Sequence, residues 1–273
     1  MTPYPDAPEG LLVARDDGVL RLRLDRPERR NALTDDVVAT LTSTIEAAGN
    51  DESVRAIELS GSGEHFCSGF DLATRSAQVP KVDDRPRVGS LQRRMRWQVN
   101  RLIPTMLETQ TPIVANVRGW AAGLGLSLVL ASDFAVVAGD ARLWAPFTSL
   151  GFTPDSGTSW LLPRMAGVAR AKEMLLLGQE VSGQEAAEWG LVHRAVSGDQ
   201  LDAAVAELVD RLCRAPTVAL GLTKLLIHRG LGMDLDRHLA DEAFAMELSS
   251  RTEDFREHQQ SRRDKRDPSF KGR

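Results

Sequence analysis

Two short apolar runs, PIVANV (Pro112 to Val117) and FAVVAG (Phe134 to Gly139), flank the segment GWAAGLGLSLVLASD (Gly119 to Asp133). Runs this short, bounded by turn formers, are consistent with buried strands. Between them, glycines give way to a continuous apolar stretch of helical length. The simplest reading is strand, turn, helix, strand, which commits this part of the chain to an α/β arrangement.

The chain opens on a different period. In LLVARDDGVLRLRLDRP, Leu20, Leu22 and Leu24 alternate with Arg21 and Arg23, and DDG separates two such runs, so a β-hairpin is predicted. TDDVVATLTSTIEAAGND predicts an amphipathic helix with Thr34 as N-cap, two acids in its first turn, and Val37, Leu41 and Ile45 on one face. The strand AIELS follows. ATRSAQVPKVDDRPRVGS has no period and reads as a loop; the helix expected from about Leu91 is kinked or interrupted by Pro104. Further on, SGQEAAEWG carries a capping box of Ser182 and Glu185, and Leu201, Val205, Leu208 and Leu212 share one helical face. Only helices are predicted beyond Leu201. The charged end, DFREHQQSRRDKRDPSFKGR, reads as a tail laid on a neighbour or a ligand.

Bulk properties exclude several classes. With 273 residues of near-average composition, the chain can build one large α/β domain with an appendage. A net charge of −4 gives no overall basic excess for nucleic acid. The local cluster QRRMRWQVNR, with Arg93, Arg94, Arg96 and Arg101 around Trp97, is explained as an exposed helix face. Cys67 and Cys213 have no CxxC partner and the histidines lack ligand spacing, so neither a disulfide framework nor a metal site is expected. The start, MTPYPDAPEG, has no apolar core, and SLVLA is far short of the about 20 residues that span a bilayer. A soluble, cytoplasmic protein is expected.

Four stretches, RPERRNAL (Arg26 to Leu33), GSGEHFCSGFDL (Gly61 to Leu72), VRGWAAGLGLSLVLASD (Val117 to Asp133) and GFTPDSGTSWLLPR (Gly151 to Arg164), stand in the order and approximate spacing of the crotonase, or enoyl-CoA hydratase/isomerase, family. The chain resembles that family over essentially its whole length. The resemblance implies an α/β fold: a spiral of ββα units over residues 1–200 carrying an acyl-CoA site, and a helical C-terminal region, 201–273, used in oligomerisation as a trimer or a dimer of trimers. It implies an acyl-CoA thioester as substrate, with CoA part of that substrate and no separate cofactor. By position, the amides of Phe70 and Leu124 would form an oxyanion hole, shaped by Gly69 and Gly123. Two fixed amides suit this purpose because a thioester enolate gathers its charge on one oxygen. The helix that begins after Gly123 adds a partial positive charge at its N-terminus.

Family members resembling hydratases carry two glutamates that hold and activate water; here those positions are Ser127 and Phe147. The remaining candidate is Asp155, where certain family isomerases carry a single catalytic aspartate, and PDSGTSWLLPR looks most like the ring-epoxide isomerase group. One carboxylate suffices to take a proton from one carbon and return it to another. Apolar neighbours, Phe147, Phe152 and Trp120 or Trp144, would raise its pKa toward the working range. The competing reading makes Asp155 an N-cap for the helix that follows.

The resemblance also brings Arg26, Arg29 and Arg30 near the CoA phosphates, for which a solvated basic turn is the alternative. It has Ala32 and Phe70 flank the pantetheine channel, adds Ser68, Gly69, Asp71, Leu72, Trp120, Gly123 and Phe147 to the substrate-binding residues, and lets Phe270 and Lys271 close on the nucleotide from a neighbouring subunit. Asp71 reads as holding its loop, and Cys67 as packing. No histidine lies between His65 and His193, which disfavours the related dehalogenase chemistry. An isomerase is therefore expected, with a one-carboxylate hydratase or a non-catalytic acyl-CoA-binding paralogue as alternatives.

Overall fold

The computed structural model describes residues 4–72, 87–97 and 99–273. The opening hairpin pairs β1 (Leu11–Asp16) with β2 (Val19–Leu24), antiparallel and in register from Leu11 opposite Leu24 to Asp16 opposite Val19. Its two-residue turn puts both Asp17 (φ 45°) and Gly18 (φ 80°) in the left-handed region, which a tight hairpin requires and the DDG wording supplies.

From β2 onward the sheet is parallel. Strands β3 (Ala56–Gly61), β4 (Ile113–Val117), β6 (Phe134–Ala138) and β9 (Arg194–Val196) extend it in the order β1-β2-β3-β4-β6-β9. All five residues of β4 are buried, as befits a strand inside a parallel sheet. A smaller sheet joins β5 (Trp120–Ala122), β7 (Arg142–Trp144) and β8 (Val181–Ser182). Both predicted strands around the glycine segment are therefore present, and β5 is an additional short strand within it.

The first helix, α1 (Asp35–Gly49), starts as predicted, with the Val37 N–H donating to Thr34 Oγ1 at 3.3 Å. Helices α2 (Ser90–Trp97) and α3 (Val99–Glu108) follow the loop region, of which residues 73–86 lie outside the described residues. Pro104 does not end α3; the helix continues through it to Glu108. Then α4 (Leu124–Ala131) is buried at all eight positions and packs on α5 (Thr158–Leu176).

The C-terminal part is helical, as expected. The capping box opens α6 (Gly183–Glu188), with the Glu185 N–H donating to Ser182 Oγ at 3.2 Å and the Ser182 N–H to Glu185 Oε2 at 2.9 Å. Next, α7 (Leu201–Cys213) packs across β3, β4 and β6 through Leu201, Val205, Val209 and Leu212. Leu208, predicted for that face, is only half-buried; Val209, one residue on, takes the place because the contact follows i, i+4, i+8 from Leu201. Helices α8 (Thr217–Gly230), α9 (Leu235–Ser249) and α10 (Glu253–Asp264) complete the chain.

The charged tail lies on its own chain. The carboxylate of Asp254, at the start of α10, accepts from the Lys271 N–H at 2.6 Å and the Gly272 N–H at 2.8 Å, and Arg55 donates to the Phe270 carbonyl at 3.1 Å. A buried ion pair ties α8 to the sheet: Asp133 Oδ2 accepts from Lys224 Nζ and from the Ile113 N–H, both at 2.7 Å. Burial pushes the Lys224 amine below its ordinary range. Lys224→Met, which keeps the stem and removes the charge, is expected to cost about 3–5 kcal/mol because Asp133 stays buried. Urea unfolding of the two proteins measures it.

Candidate active site

The site forms where two glycine-shaped segments touch. The chain from Phe66 to Asp71 lies between the 29–33 loop on one side and β5 on the other. Toward β5, the Cys67 N–H donates to the Trp120 carbonyl and the Cys67 carbonyl accepts from the Ala122 N–H, each at 2.9 Å. Toward the loop, Ser68 N–H donates to the Arg30 carbonyl, Leu33 N–H donates to the Gly69 carbonyl, and Asp71 N–H donates to the Leu33 carbonyl. Leu33 pairs with Phe70 as a parallel bridge, so the Phe70 amide faces away from Leu33, to the side of β5 and α4. Cys67 and Phe70 thus face one way although three residues apart, where a regular strand would alternate every second residue. Gly69, at φ 101°, makes the kink.

On the facing side, Gly123 takes φ 54°, ψ −119°, and Leu124 is the first residue of α4. Its N–H has no acceptor within the helix. A methyl group built on Gly69 would sit 2.9 Å from the Ala122 carbonyl oxygen and 3.5 Å from the Leu124 nitrogen, so the two segments meet at the two amides. An oxygen anion fits chemically between such donors.

These amides open on a cleft of about 800 Å³. Its described walls include Leu72, Leu91, Met95, Val99, Phe147, Leu150 and Phe152, with Ser68, Ser90, Asn100, Thr153 and Ser156 as polar groups. Asp155 is the one carboxylate among the described lining residues. It is half-buried, and the Ser156 hydroxyl donates to its Oδ1 at 3.0 Å. Asp155 does not cap α5 with its side chain: the cap position is Gly157, at φ 79°, and no side-chain cap bond exists there. The reason is local, since the turn spends two positive-φ residues, Ser156 and Gly157, before the helix begins. The Asp155 carbonyl instead accepts from the Thr158 N–H at 3.1 Å and the Thr158 hydroxyl at 3.0 Å.

Ser127 and Phe147, at the hydratase glutamate positions, have other uses. Ser127 is fully buried on α4 and shares a 2.7 Å hydrogen bond with Thr158 Oγ1. Thr158 also donates to the Asp155 carbonyl, so α4 and the Asp155 turn are fastened together. Phe147 packs edge-on to Phe152 at 5.8 Å and walls the cleft.

The structure brings Ser68, Gly69, Phe70, Leu72, Gly123, Leu124, Phe147 and Asp155 to this cleft. Other predicted residues lie elsewhere. Arg26 donates to Asp71 Oδ2 at 3.0 Å and to the Ala32 carbonyl at 2.9 Å, so this arginine and Asp71 brace the loop beneath Ala32. Arg29 and Arg30 are exposed, and their carbonyls accept from Ser68 at the cleft edge. Trp120 stacks on Trp144 at 5.8 Å under Arg142, away from the cleft lining. Phe270 and Lys271 are held at the Asp254 clamp.

Burial raises the Cys67 thiol to about 12, consistent with packing rather than nucleophilic work. Asn31 was missed by the sequence reading. It is buried at φ 56° and its side chain bonds the Ser62 and His65 carbonyls and the Arg26 N–H, and an asparagine in a loop of charges was its only signal. Among the described residues no cluster of three potential metal ligands occurs, and no helix is long and apolar enough to cross a membrane.

The fold is that of solved enoyl-CoA hydratases. A Bacillus anthracis enoyl-CoA hydratase superposes with a TM-score of 0.88 at 29% identity, over 97% of this chain and 100% of its own. The sequence model of the enoyl-CoA hydratase/isomerase family matches residues 14–273, and the chain belongs to that family. It is 35% identical over 265 residues to the 1,2-epoxyphenylacetyl-CoA isomerase of Escherichia coli, covering 97% of this chain and 99% of that protein. It is 29% identical to a crotonyl-CoA hydratase of Syntrophomonas wolfei, covering 96% and 98%. This is an acyl-CoA enzyme of the crotonase type.

The meeting of the segments predicts that Gly69→Ala, which adds a methyl at φ 101° and 2.9 Å from a carbonyl oxygen, displaces one amide. A fall of about 10²-fold in turnover is expected in a folded protein, by analogy with loss of one oxyanion donor. Steady-state kinetics beside circular dichroism tests this.

Proposed function

We propose that this enzyme shifts a carbon–carbon double bond in an enoyl-CoA, with Asp155 as the acid/base and the Phe70 and Leu124 amides as the oxyanion hole. The observation that carries the reading is the carboxylate census of the cleft: Asp155 is present, and serine and phenylalanine stand at the hydratase glutamate positions. The isomerase among its relatives supports the same choice.

In a 3-enoyl-CoA, Asp155 removes a proton from C2. The C–H electron pair becomes the C1=C2 bond of a dienolate, and the thioester oxygen takes the charge. Each amide hydrogen bond to that oxygen is of the kind worth about 3 kcal/mol in acyl-transfer sites. Asp155 then returns the proton to C4, which restores the thioester carbonyl and leaves C2=C3 conjugated with it. No atom is gained or lost, so one carboxylate completes the cycle.

Asp155→Asn is expected to reduce kcat by about 10²- to 10⁴-fold with the protein still folded. The ultraviolet absorbance of the conjugated 2-enoyl thioester follows the reaction. Conjugation by wild type that is lost in Asp155→Asn supports the isomerase reading. A conjugated thioester that wild type consumes by adding water makes the enzyme a one-carboxylate hydratase instead.

The enzyme is proposed to work as a trimer or a dimer of trimers through its C-terminal helices. Ile227, Leu231, Leu235, Leu239, Phe244 and Met246 are large apolar side chains exposed on or next to α8 and α9 of a single chain. Sedimentation equilibrium is expected to give three or six times the chain mass, and Leu235→Asp with Phe244→Asp to give the monomer.

A further inference from the structure

Ser156 occupies a backbone conformation that serine has no reason to choose for itself. Its φ is 51°, in the left-handed region, which glycine enters freely and other residues only at a cost. The next residue, Gly157, is at φ 79°. A buried side chain is nonetheless kept at position 156, 5% exposed, and its hydroxyl points back one residue, with Oγ 3.0 Å from Asp155 Oδ1. When Asp155 is ionised its carboxylate oxygens can only accept, so in that form the Ser156 hydroxyl is the donor of the bond. The positive φ at Ser156 and this contact between two consecutive side chains occur together in the same turn.

We propose that Ser156 is a positioning residue that fixes the Asp155 carboxylate in its ionised form and in one orientation for proton transfer. This rests on Asp155 being the base, the reading given above. A hydrogen bond to the charged form favours that form. The same bond stops the carboxylate rotating, while Thr158 holds the Asp155 carbonyl from the opposite end of the residue. Charged groups on the packed elements also contribute to the local field. Arg93 and Arg96 stand at exposed positions on α2, whose Leu91 and Met95 line the cleft. Glu108, His228 and Arg229 line a second cavity on the other side of Ser156. Substitutions at Ser156 leave all of these in place.

The test uses Ser156→Gly, which removes the hydroxyl and relieves the backbone, and Ser156→Ala, which removes the hydroxyl and keeps the strain, beside Asp155→Asn. The first readout is kcat/KM for a 3-enoyl-CoA against pH. The second, independent of activity, is titration of the Asp155 carboxyl carbon by NMR in protein carrying 13C-labelled aspartate, assigned by its disappearance in Asp155→Asn. Both serine variants are expected to move the acid limb and the carboxyl titration upward together by about 0.5 to 1 pH unit. Turnover is expected to fall about tenfold, with KM changed less than about twofold, as for loss of one aligned hydrogen bond.

An unchanged carboxyl titration in Ser156→Gly overturns the proposal. So does loss of turnover in Ser156→Ala alone, which assigns the effect to backbone strain. If Asp155→Asn turns over as fast as wild type, the base assignment fails, and the NMR titration still decides whether Ser156 holds the carboxylate.

Discussion

The contact on which the site depends is the approach of the Cys67–Phe70 segment to the start of α4. It is a contact between backbones, made possible by three glycines, two needed for their backbone conformation and one for the room it leaves. Gly69 and Gly123 supply positive φ, and Gly125 supplies room, since a methyl group there would lie 2.4 Å from the Cys67 carbonyl oxygen. Backbones this close bring amides into register without relying on flexible side chains. That rigidity suits the proposed oxyanion hole, because its donors are already oriented before charge develops.

Around that contact the molecule supplies support on both sides. Beneath the first segment, the 29–33 loop is stitched by Asn31 and by the Arg26–Asp71 pair. Beneath the second, Ser127 on α4 meets Thr158, and Thr158 meets the Asp155 carbonyl. A serine at a position where related hydratases use a carboxylate is therefore not a vacancy. Its hydroxyl fastens the helix carrying one amide to the turn carrying Asp155.

Several elements were legible in the sequence because local chemistry decides them. Alternating leucines and arginines produced β2, Asp-Gly produced the hairpin turn, and Thr34 and Ser182 capped the helices they precede. The four motifs of the family named Phe70, Leu124 and Asp155, and the structure brings all three to one cleft. Residues that reach the site, or fail to, were harder to assign. Trp120 lies next to the glycine turn in sequence yet packs on Trp144, since β5 belongs to the smaller sheet. Arg26 carries the right charge for phosphate but turns inward to a buried carboxylate. Pro104 sits inside the expected helical region without ending the helix, which runs on to Glu108.

The sequence by itself determined the α/β class, the opening hairpin, the strands on either side of the glycine segment and the helical C-terminal region, because periodicity, capping and glycine placement act over a few neighbouring residues. Tertiary structure alone decided which of those residues share one cleft, that Asp155 is not a helix cap, and that Ser156 and Thr158 hold it from either end. Those facts depend on φ angles and on contacts between segments tens of residues apart. No pattern along a single chain records such contacts, since the energy that selects them comes from packing the whole core.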